Sequence, residues 1–140
     1  MGRPVYERSN DRLQEQKIAE LAASKWGVSL IRLAELAGAD YMMVKHGELK
    51  AIVEIKNRSN PIALYPTYMI SATKISALNA VAAVIKAKPV LIVQWKDCVG
   101  WVNTAAVSVA HGTGGRADRD DPMDMERCIY IPVTQFKRLK

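Results

Sequence analysis

The sequence has little of what usually assigns a function quickly. It holds two cysteines, Cys98 and Cys128, among 140 residues. Neither belongs to a CxxC pair and there is no third thiol, which excludes a structural zinc site built on cysteine. Both lie in apolar segments, Cys98-Val-Gly-Trp101 and Cys128-Ile-Tyr-Ile131, the setting of buried free thiols in a reducing compartment. The two histidines, His46 and His111, have no partner at ligand spacing. The longest apolar stretches, Leu78 to Ile85 and Pro89 to Val93, are too short to span a bilayer and are separated by Lys86 and Lys88. Met1 to Arg8 has no apolar signal core, so a soluble, cytoplasmic protein is expected. The glycines of Gly112-Thr-Gly-Gly115 are not followed by a Gly-Lys-Ser/Thr, which excludes a phosphate loop there. No internal repeat is present.

Acidic residues are also the minority. The 20 Lys and Arg exceed the 14 Asp and Glu, giving a formal charge of +6. That balance favours polyanionic partners, nucleic acid first. Hydrophobic residues make up 49% of the chain, enough for one packed core, and the length predicts a single domain over residues 1–140.

Leu13, Ile18, Leu21, Ala22 and Trp26 recur at helical spacing, which predicts a helix from about Asn10 to Trp26 ended by Gly27. Val28 to Leu33 and Tyr41 to Val44 read as short strands. His46-Gly47 is a turn, and Leu49 to Lys56 is the returning strand of a hairpin. Asn57 to Pro66 reads as a loop and Tyr68 to Lys86 as the second main helix. Pro89 to Trp95 is a strong, central strand, and Val99 to Asn103 its hairpin partner, extended toward Ala110. Residues 111–124, with three glycines, four aspartates and a proline, predict a mobile surface loop. A last strand, Cys128 to Ile131, and a short terminal helix, Val133 to Leu139, complete an α/β fold with a mixed sheet flanked by helices.

The chemistry concentrates in Ala39-Asp40-Tyr41 and Val53-Glu54-Ile55-Lys56. Strand alternation turns Val53 and Ile55 into a core and leaves Glu54 and Lys56 together on the other face. Across the hairpin, Asp40 and Glu54 lie at matching distances from the turn. Two carboxylates buried together are costly without a cation. A hard divalent ion such as Mg²⁺ or Mn²⁺ removes that cost, polarises a phosphate and acidifies a bound water. Lys56 beside it can orient that water or stabilise charge growing on the phosphate.

This pattern resembles the PD-(D/E)xK nuclease superfamily over roughly residues 7–102, and within it small Holliday-junction-resolvase-like and phage-type nucleases. The resemblance rests on Asp40, on Glu54-Ile55-Lys56, and on their place between two helices; Ala39 stands where the motif's proline would be. It implies a restriction-endonuclease-like core and a metal-dependent endodeoxyribonuclease, with DNA, branched DNA included, as substrate. It further implies that Asp40, Glu54 and the backbone carbonyl of Ile55 hold the cation, and that Lys56 is the catalytic lysine. An acidic residue of the first helix would complete the site: Glu15 is preferred, with Glu7 and Glu20 as competitors. The resemblance also suggests that Lys74 touches the scissile phosphate, against the alternative of a solvated lysine.

Asn57 and Arg58 follow the triplet and can contact the DNA backbone, Arg58 bidentately. Tyr65 and Tyr68 flank Pro66 and could stack on a base or pack at a helix entry. Cutting both strands takes two active centres, which predicts a homodimer. Two readings of another class stay open: a nucleic-acid-binding module without catalysis, and a subunit of a repair or packaging complex.

Overall fold

A computed structural model describes residues 5–33, 39–115 and 125–140. Its first helix, α1 (Val5–Trp26), ends at Gly27, whose φ of +62° is the left-handed conformation that stops a helix. A six-stranded sheet follows, built from β1 (Ser29–Arg32), β2 (Tyr41–Lys45), β3 (Glu48–Asn57), β5 (Lys88–Gln94), β6 (Val99–Asn103) and β9 (Lys137–Arg138), in that spatial order. β3 and β5 are parallel and every other neighbouring pair is antiparallel, so the sheet is mixed. The β2–β3 turn at His46-Gly47 has positive φ at both residues, 53° and 74°, the geometry that matches hairpin twist.

β5 is central because it is apolar on both faces. Leu91, Ile92 and Val93 are fully buried. Val90 and Ile92 join Val53 and Ile55 of β3 against Ile18, Ala19 and Ala22 of α1. On the opposite face, Leu91 and Val93 pack against Ile70, Ile129 and Ile131. Ile52 of β3 packs there too, against Leu78 and Ala82 of the second helix, α2 (Ala72–Ile85).

Four expectations are corrected. The segment from Tyr68 is not helical at first: β4 (Thr67–Ser71) precedes α2, with Tyr68 and Ile70 inward and Met69 outward. Ser71 caps the helix, its Oγ accepting from the Lys74 amide at 3.4 Å. The expected loop over 111–124 begins as a strand, β7 (Ala110–Gly115), paired with β8 (Met125–Pro132); residues 116–124 lie outside the described residues. β4, β8 and β7 form a second, three-stranded sheet, so Ala105 to Ala110 does not extend β6. The terminal segment is a 3-10 turn, Val133–Gln135, followed by β9, which adds to β6 with Phe136 and Leu139 buried, rather than a helix. Among the described residues no helix is long and apolar enough to cross a membrane.

Candidate active site

Asp40 is fixed by three main-chain contacts where β2 begins. Its amide donates to the Val53 carbonyl at 2.9 Å and its carbonyl accepts from the Leu33 amide at 2.8 Å. Its Oδ2 accepts from the Ile55 amide at 2.8 Å. The hairpin carries a bulge between Met43 and Val44: Val44 pairs with Leu49, but Met43 pairs with Ala51 and Tyr41 with Val53. That register brings Glu54 opposite Asp40, whereas an unbroken ladder would have set Val53 there.

Glu54 is only 8% exposed. Its Oε1 lies 3.5 Å from Lys56 Nζ and 3.8 Å from Lys74 Nζ, so the site holds two ammonium groups against one buried carboxylate. Burial raises the Glu54 pKa, Asp40 adds to that rise, and the two lysines oppose it. Burial lowers the Lys56 pKa, with Glu54 pulling the other way. The pair is thus pressed toward its neutral forms by lack of water.

Glu15 approaches from α1, on the other face of β3. Its Oε2 is shielded from solvent with no hydrogen-bond partner, 3.5 Å from Arg32 Nη1. Burial first and Asp40 second raise its pKa to about 6. Glu15, Ile55, Lys56, Asn57 and Arg58 line one cleft of about 250 Å³. Glu20 instead is exposed and accepts from Gln16 Nε2 at 3.3 Å, and the side chain of Glu7 lies outside the described residues.

The structure places Asp40, Glu54, Lys56 and Glu15 toward the end of β3, reached from both faces of the sheet. Lys74 joins them through Glu54. Arg58 is held in place, its Nη2 donating to the Met69 carbonyl at 3.1 Å and its guanidinium 4.6 Å from the Tyr68 ring centre. Asn57 is exposed beside the cleft. Tyr68 is the correction: it is 3% exposed and packed edge-on against Trp95 and Phe136, so its ring is core and has no free face for a base. Arg32 is the residue that sequence reasoning missed. Its place beside Glu15 follows from the register Arg32↔Tyr41, a long-range pairing with no local signal.

Among the described residues no three His, Cys, Asp or Glu side chains are grouped to hold a metal ion as they stand. The donors nonetheless fit a hard divalent cation, which takes one or two carboxylates and otherwise water. Asp40 and Glu54 are opposed across two strands, and the orphaned, buried Glu15 Oε2 is an acceptor without a donor.

The fold is that of restriction-endonuclease-like proteins. A solved structure of the Holliday junction resolvase Hjc from Archaeoglobus fulgidus superposes with a TM-score of 0.64, covering 91% of this chain and 87% of that one at 12% identity. The family described as "Phage putative PDDEXK endonuclease" matches residues 1–139, and the chain belongs to that family. No curated protein matches.

Proposed function

We propose that the protein is a Mg²⁺- or Mn²⁺-dependent endonuclease that hydrolyses phosphodiester bonds in DNA, with branched DNA among its substrates. The observation that carries this reading is the bulged β2–β3 register, which opposes Asp40 to Glu54 with the Lys56 ammonium 3.5 Å from Glu54. Asp40, Glu54, the Ile55 carbonyl and Glu15 would hold the cation, which when bound polarises the phosphate and acidifies water. Lys56 orients the attacking water and stabilises negative charge growing on the phosphate, a role suited to an amine already deprived of solvent. Lys74 adds a second positive charge facing the same phosphate. Arg58 and Asn57, at the cleft's rim, hold the DNA backbone. A chain with charge +6 draws in the polyanion over distance.

Two copies would be needed to cut both strands, so a homodimer on DNA is part of the proposal. Cys98 and Cys128 are not joined in a disulfide, which suits the reducing cytoplasm of a host cell.

The test incubates purified protein with plasmid, single-stranded and four-way-junction DNA, in Mg²⁺ or in EDTA. Cutting is expected in Mg²⁺ only, and is expected to vanish in Asp40→Ala. Metal-dependent cutting that persists undiminished in that variant would sink the reading. Binding without any cleavage would leave a nucleic-acid-binding module instead. Mass in solution, with and without DNA, reports the dimer.

A further inference from the structure

The alternation that aligns Glu54 with Lys56 carries on to Arg58. β3 pairs in parallel with β5 as far as Asn57 and Gln94, and the Arg58 amide closes that last pairing by donating to the Gln94 carbonyl at 2.7 Å. Glu54, Lys56 and Arg58 thus form one row along a single face, about 7 Å from Lys56 to Arg58 at strand spacing. The row ends at a second cavity of about 610 Å³, which Arg58 lines together with Tyr65, Pro66, Tyr68, Met69 and Tyr130. A space of that size accommodates a nucleotide-sized group.

Its walls are unlike those of the cleft beside Glu15. Tyr65 is 59% exposed and Met69 39%, a large amount of aromatic and thioether surface left in water. The Tyr68 hydroxyl in the wall is buried with no hydrogen-bond partner, a costly state for a polar atom. At the cavity's edge nearest the row, the Arg58 guanidinium is fixed by the Met69 carbonyl and the Tyr68 ring. Positive charge beside aromatic surface in one cavity is the combination that takes a phosphate and its base together.

We propose that this cavity receives an unpaired nucleobase of the substrate, one nucleotide away from the phosphate at Lys56, with the exposed Tyr65 ring as its stacking surface. The proposal rests on the nuclease reading for its register, but base capture is measured separately from cutting. Bases inside an intact duplex are stacked and cannot enter, so the cavity selects DNA with an unpaired or extruded nucleotide, as at bulges, flaps and branch points.

The experiment titrates the full chain, in EDTA, with duplex DNA carrying 2-aminopurine either fully paired or in a short unpaired bulge. The bulged DNA is expected to bind about tenfold tighter, with quenched 2-aminopurine emission. In Tyr65→Ala that preference ratio is expected to fall to about one, and in Tyr65→Phe to be retained, because the ring and not the hydroxyl stacks. Equal affinity of the wild type for both DNAs, or a preference that survives Tyr65→Ala, overturns the proposal. Cleavage in Mg²⁺ is scored on the same DNAs. Cutting without bulge preference refutes only the base pocket, whereas bulge preference without cutting refutes only the nuclease reading.

Discussion

The two faces of β3 carry the same kind of charge and treat it differently. On the α2 face, Glu54 is flanked by Lys56 and Lys74 at 3.5 and 3.8 Å. On the α1 face, Glu15 has one guanidinium at 3.5 Å, a buried oxygen without a hydrogen bond, and a pKa raised to about 6. A buried carboxylate is accommodated either by gathering cations or by holding its proton. The α2 face uses the first device and the α1 face the second. Burial raises the pKa of both carboxylates, but on the α2 face two ammonium groups oppose that rise, whereas the α1 face gains its full charge only above about pH 6.

The sharpest way to break this comparison is to remove the ammonium nearest Glu54. Lys56→Ala is expected to lower the cleavage rate about 10²–10³-fold, the usual loss when one stabiliser of developing charge is deleted. The fold should survive, since Lys56 is partly exposed and lies at the end of β3. A circular dichroism melt alongside single-turnover cleavage separates the two. A loss of activity accompanied by unfolding would show that the ammonium is structural.

A smaller effect is expected from Lys74, which is more exposed and farther from Glu54. Lys74→Ala should reduce cleavage about tenfold, as an outlying charge is screened more than a buried one. Arg32→Ala, on the α1 face, should change cleavage less than Lys74→Ala, because Arg32 pairs with Glu15 and not with Glu54. The reverse ranking in initial-rate assays would mean that the α1 face, not the α2 face, supplies the working charge.

How much of this was legible in the sequence depended on the range of the interactions. β5 announced itself because a strand buried on both faces reads as one apolar run, Val90 to Val93. The Glu54–Lys56 face followed from period-two alternation, and Asp40 from its place ahead of β2. The bulge that aligns Asp40 with Glu54 left no trace, since its cause is pairing between strands. β4 was hidden because Tyr68, seven residues ahead of Ile75, falls in its helical phase and Ile70 runs on into the same apolar stretch; only the Ser71 cap marked the true helix start. β7 was misread as loop from its glycines. One of them, Gly112, has a packing reason: a Cβ there would stand 2.8 Å from the Tyr130 ring. β9 is two residues long and is held by its partner β6, so no local pattern could reveal it.

The smallest expected effect tests the α1 face through stability. Glu15 has a folded pKa of about 6 against an ordinary value of 4.5, so the fold holds its proton more tightly than the unfolded chain does. Below pH 4.5 both states are protonated and Glu15 costs nothing. Between 4.5 and 6 the unfolded chain ionises first, and stability falls; above 6 the loss is complete. The shift corresponds to at most about 2 kcal/mol, and water at the partly exposed side chain reduces that to about 1 kcal/mol. Glu15→Gln removes the ionisation while keeping the shape. In metal-free buffer it should melt about 3–5 °C higher than wild type at pH 7.5 and equally at pH 4. Added Mg²⁺ should then narrow or reverse the gap, since a cation stabilises only the state that binds it, and the ionised wild type binds it better. A gap at pH 7.5 that Mg²⁺ leaves untouched would place Glu15 outside the metal site and make its raised pKa a matter of packing against the sheet alone.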